Sequence, residues 1–102
     1  MTASSPEELE ILLEDALILH DAAAVAALFE DRGILVTVPG SVVGPAQVAN
    51  ALEEHTFVAS PHSATLVGDI AVVVGDHHTV NISCRGTDRR WRLVVAIVMP
   101  GS

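Results

Sequence analysis

Two β-branched runs late in the chain constrain its architecture more than any other feature. Ile70 to Arg85 reads IAVVVGDHHTVNISCR, and Trp91 to Met99 reads WRLVVAIVM. Between them, Gly86-Thr87-Asp88-Arg89-Arg90 has turn chemistry. Val, Ile and Thr dominate both runs, as a pleated, half-buried surface prefers. The expectation is two long strands joined by a tight polar turn. The helical segments that precede them need such a surface to pack on.

The first helix starts at Ser5-Pro6-Glu7-Glu8. Ser5 can cap, Pro6 suits the first helical position, and Glu8 stands three after Ser5 as a capping box requires. Leu9, Leu12, Leu13, Ala16 and Leu17 follow the helical period, with His20 continuing the stripe inward and Glu7, Glu10 and Glu14 opposite. Asp21 caps a second, alanine-rich helix, Ala22 to Phe29, which Gly33 ends after Glu30-Asp31-Arg32. Ile34 to Val38 reads as a first strand, stopped by Pro39-Gly40-Ser41. Gly44-Pro45 opens a third helix whose inward stripe is Val48, Ala51, Leu52 and His55. Thr56 to Ala59 and His62 to Val67 read as extended, and Gly68-Asp69 as a turn.

The 102 residues fit one domain, 1–102, with residues 1–5 expected to be disordered. A chain this long buries roughly 60–70% of its unfolded surface and can hold one core without staples. Half the residues are hydrophobic, which leaves apolar surface for a partner subunit or a pocket. The net charge is −8, unevenly spread. Residues 1–55 carry ten acids and one Arg; residues 56–102 carry three acids and four Arg. An acidic helical half argues against nucleic acid and against an anionic membrane surface. No apolar run reaches the roughly 18–20 residues of a membrane span. With one cysteine, Cys84, no internal disulfide can form, and a cytoplasmic location is expected.

The order of elements belongs to the α+β class. Four patterns together resemble the nuclear-transport-factor-2-like superfamily, in its SnoaL-like and ketosteroid-isomerase-like branch. They are His20-Asp21-Ala22 with Ala27-Leu28-Phe29-Glu30-Asp31; ILVTV followed by Gly40 and Gly44-Pro45-Ala46-Gln47-Val48; Val67-Gly68-Asp69-Ile70-Ala71-Val72-Val73; and Arg90-Trp91-Arg92-Leu93-Val94. Their order, over about residues 9–99, carries the likeness. The resemblance implies a cystatin-like α+β barrel, with three N-terminal helices packed on a curved, mostly antiparallel sheet. It further implies a cone-shaped apolar pocket and a homodimer through the outer face of the sheet.

Alternation in the organising run places Val72, Val74, His78, Val80, Ile82 and Cys84 on one face, and Val73, His77, Thr79, Asn81 and Ser83 on the other. The aliphatic face is expected to pack toward the helices. His78 and His20 are then the candidate catalytic residues, with His55, Cys84, Val72 and Val80 as candidate ligand contacts. His is suited to general base work, with an unperturbed pKa near ~6.5. No metal or cofactor is expected: His77 and His78 are adjacent, and adjacent strand residues point to opposite faces, which defeats a three-ligand site. Asp21 and Asp31 read as helix caps and ends, and Arg89, Arg90 and Arg92 as a solvated turn. The chain has no Tyr, which ketosteroid isomerases use as the oxyanion donor; that enzyme is a standard worked case of pKa tuning. Two functions stay open. One is a non-catalytic binding or dimerisation module for a small apolar ligand. The other is a small isomerase- or cyclase-type enzyme with a pocket His as base.

Overall fold

A six-stranded sheet in the order β2-β1-β6-β5-β4-β3 forms the frame of the chain. The computed structural model describes residues 2–53, 61–75 and 79–98. Its elements are α1 (Pro6–Ile18), α2 (Ala22–Ala27), β1 (Phe29–Thr37), β2 (Gly40–Val43), α3 (Pro45–Leu52), β3 (Pro61–Val67), β4 (Ile70–Gly75), β5 (Thr79–Arg85) and β6 (Trp91–Val98). All strand pairs are antiparallel except β1 with β6. The class is therefore α+β with a mostly antiparallel sheet. Only α1 and α2 precede the sheet; α3 follows the β1–β2 hairpin.

The start of α1 is built as its residues suggest. The Ser5 side chain accepts from the Glu8 backbone N–H at 3.1 Å. Glu8 returns a bond one residue earlier than a capping box requires, accepting from the Ser4 N–H at 2.9 Å. Ala3 is 1% exposed and its carbonyl accepts from the Trp91 N–H at 3.0 Å. Ala3 is thus tied to β6.

Strand β1 begins earlier than its β-branched run. Leu28 closes α2, and the Leu93 N–H donates to the Leu28 carbonyl at 2.8 Å, so Phe29 enters the sheet opposite Leu93. Gly33 is not a helix cap. It lies in β1 under the Phe29 ring, where a Cβ would stand 2.9 Å from the ring's Cδ2. Strand β2 was absent from the sequence reading; Pro39-Gly40 turns the chain back instead of stopping it, and Thr37 pairs with Gly40.

The largest correction concerns the run from Ile70 to Arg85. It is two antiparallel strands, with Val72 opposite Ile82 and Val74 opposite Val80. The two faces keep their expected membership but exchange roles. Ala71, Val73, Thr79, Asn81 and Ser83 are buried. Val72, Val80, Ile82 and Cys84 are half-buried on the outer side and take no part in the core. In β6 a bulge opposite Ile82 and Ser83 inserts Val94 as an extra residue. Leu93 and Ala96 consequently both face the core, although they are three apart. The core joins Leu9, Leu13, Val25, Leu35, Val48, Leu52 and Trp91 between the helices and this inner face.

Candidate functional site

The inner face carries a row of polar side chains where a core would ordinarily be aliphatic. Thr79, Asn81 and Ser83 alternate along β5, all buried. Helix α1 lays Glu10 against them. The Asn81 side-chain amide donates to both Glu10 carboxylate oxygens at 2.9 Å. Glu10 is 5% exposed, so it belongs to the buried stripe and not to the polar side with Glu7. Burial pushes its carboxyl above the ordinary range, and the Asn81 bond opposes that only partly. Ser83 stands about 7 Å along the same strand face. Its hydroxyl is buried without a hydrogen-bond partner, which is uncommon for a native side chain.

This arrangement can hold a neutral carboxyl beside a fixed amide donor. It makes a direct prediction for pH. The folded-state pKa of Glu10 lies above its unfolded value near ~4.3. The folded protein therefore holds this proton more tightly, and stability associated with the neutral form is lost as pH rises through the folded pKa. Glu10→Gln is expected to match the wild type near pH 4 and to exceed it in stability at pH 8. Urea unfolding of both proteins from pH 4 to 8 checks it; a constant difference across that range would refute it.

The described candidates, His20, Val72, Val80 and Cys84, do not gather around Glu10. His55 and His78 lie outside the described residues, as does His77; His62 lies on β3 with only its backbone described. His20 is exposed, not inward. It takes a left-handed conformation (φ 53°) just past α1, where its N–H donates to the Leu17 carbonyl at 3.1 Å and the Asp21 N–H to the Ala16 carbonyl at 2.9 Å. That is a Schellman end, a position glycine favours. His20→Gly is expected to raise stability by about 0.5–1 kcal/mol, measured by denaturant midpoint. Val72, Val80 and Cys84 face outward, away from the polar row, for the reason given above. Cys84 donates through Sγ to Glu30 Oε1 at 3.2 Å. Burial first, then the bond and charge of Glu30, push its thiol up to about 11, so it is a poor nucleophile at neutral pH.

Among the described residues, no three His, Cys, Asp or Glu side chains converge as metal ligands. Among the described residues, no helix is long and apolar enough to cross a membrane. A cleft of about 230 Å³ opens between α1 and α2, lined by Leu12, Asp15, Ala16, Leu19, Asp21, Ala24, Ala27 and Leu28. On the outer face the register aligns aliphatic rows across the sheet. Val43, Ile34, Val95, Ile82 and Val72 form one, and Val36, Ile97, Val80 and Val74 the next.

Solved structures share this fold. A protein from Thiobacillus denitrificans, named for a calcium/calmodulin-dependent protein kinase type II association domain, superposes with a TM-score of 0.78 over 100% of this chain and 99% of its own, at 16% identity. A ketosteroid isomerase-like protein from Erwinia carotovora atroseptica gives 0.73 over 91% of each chain, at 16% identity. An NTF2-like protein of unknown function from Cytophaga hutchinsonii gives 0.63 over 91% of this chain and 87% of its own, at 12% identity. The chain shares its fold with these ketosteroid isomerase-like and NTF2-like structures. No family model and no curated protein matches the sequence.

Within this fold, sequence reasoning missed Glu10 and Asn81. One signal was available. Pro6, Glu10, Leu13 and Leu17 fall at helical spacing, so Glu10 shares a stripe with buried residues as well as with Glu14. The partner could not be read, because Asn81 is 71 residues away.

Proposed function

We propose that this chain is a non-catalytic dimerisation module that also holds a small apolar ligand. The observation that carries the reading is the outer sheet face. Its aliphatic rows cross from β2 to β4, and Val74, Ile70 and Val43 are 37%, 53% and 56% exposed. The helical side is accounted for by the core, which takes in none of these residues. Six strands at about 4.8 Å spacing span about 24 Å, the scale of an interface that buries about 800 Å² per partner. Apolar patches of that extent on a single chain mark interaction sites, and a second copy offers a matching flat face under two-fold symmetry. A single cysteine, with no internal disulfide to form, suits a reducing cytoplasm.

Catalysis is the weaker reading. One observation favours it, the raised pKa of Glu10, which resembles a poised general acid. Against it, Glu10, Asn81 and Ser83 are 5%, 2% and 1% exposed, so reacting atoms have no room beside them. Sedimentation equilibrium of the full chain at about 10 μM tests the dimer. A dimer is expected; a monomer at that concentration overturns the reading.

A further inference from the structure

We propose that the α1–α2 cleft binds a small apolar monoammonium compound. The inference rests on the ligand-holding half of the function proposed above and names the ligand class. Leu12, Asp15 and Ala16 of α1 with its cap Leu19 stand at helical spacing, and so do Ala24 and Ala27 of α2 with its cap Leu28. The two stripes face each other. Where leucines on α2 would fill the gap it carries Ala24 and Ala27, and the volume they leave is the cleft of about 230 Å³. An apolar cavity of about 150 Å³ takes a benzene ring, and drug-sized ligands need about 300–1,000 Å³. This cleft therefore suits a single ring or short alkyl body with one polar end.

The charge of that end follows from the carboxylates. Among the described residues, Asp15 and Asp21 are the only charged side chains lining the cleft, and both are exposed. Asp21 has a structural duty, accepting from the Ala24 N–H at 3.0 Å as the cap of α2. Asp15 has none among the described hydrogen bonds and ion pairs. It also lies toward the C-terminal end of α1, where the helix dipole disfavours an acid and no basic side chain offsets it. The cleft thus combines an apolar floor with anionic groups at its edge, and an ammonium group on an apolar body complements both. A carboxylate on the same body would meet repulsion.

Binding is tested on the full-length protein with 2-phenylethylammonium, 2-phenylethanol and 3-phenylpropionate, read by methyl NMR shifts at Ala24, Ala27 and Leu28. The ammonium is expected to bind with a Kd of about 0.1–1 mM. The alcohol should bind several-fold more weakly, and the carboxylate should not saturate. Asp15→Asn is expected to weaken the ammonium about five-fold while leaving the alcohol unchanged. Ala27→Leu, at an exposed position that tolerates the change, should abolish both. No saturable shift with the ammonium at 5 mM, equal binding of all three probes, or shifts that persist in Ala27→Leu would each overturn the proposal. Sedimentation of the same samples reads the dimer separately, so loss of one result leaves the other standing.

Discussion

Asn81→Leu is expected to destabilise the fold by about 3–5 kcal/mol at pH 8, and a second change, Glu10→Leu, to restore most of that loss. Asn81 is the donor to both Glu10 oxygens. Removing it leaves a buried carboxylate without its partner, which typically costs about 3–5 kcal/mol, whereas replacing both members of a buried polar pair with apolar side chains is often neutral. The effect should shrink toward pH 4, where Glu10 is protonated and the lost bond is between neutral groups, worth about 0.5–1.5 kcal/mol. Against a total stability of about 5–15 kcal/mol, the single variant at pH 8 would be marginal. Urea unfolding of the two single variants and the double variant completes the cycle. An Asn81→Leu protein within about 0.5 kcal/mol of wild type at pH 8 would show that the carboxyl has other support.

The same pair marks where the sequence was readable and where it was not. Local signals held: Ser5 caps α1, Pro45 opens α3, and the β-branched residues form strands. What failed were decisions made by distant contacts. A period of two divides Val72, Val80, Ile82 and Cys84 from Val73, Asn81 and Ser83, but periodicity alone does not say which set meets the helices. Hydrophobicity favoured the aliphatic set. The structure chose the other, because Glu10 on α1 supplies a partner for Asn81 that no local pattern announces. Gly75-Asp76 marks a break within Ile70–Arg85, and only pairing of Val74 with Val80 shows that break to be a reversal. Strand β2 is four residues long and half polar, too short for alternation to register. The bulge at Val94 likewise follows from register with β5 and not from composition.

The reversal of faces has its own consequence, because aliphatic side chains that do not meet the helices need cover from elsewhere. Ile82 sits near the centre of that surface, with Val72 on one side and Val95 on the other. Ile82→Asp is expected to convert the proposed dimer to a monomer, weakening association at least about 100-fold, since two-fold symmetry places two carboxylates in one apolar contact. The fold itself should tolerate the change, because Ile82 lies outside the core cluster and its side chain is only half-buried in the single chain. Circular dichroism and the denaturant midpoint establish that the variant remains folded. Leu19→Asp is the matched control. Leu19 is 75% exposed but lies at the α1–α2 cleft, so an aspartate there should leave the dimer intact. Sedimentation equilibrium of the three proteins between about 1 and 100 μM separates the accounts. If Leu19→Asp dissociates the dimer and Ile82→Asp does not, subunits meet through the helices, and the aliphatic rows of the sheet require a different occupant.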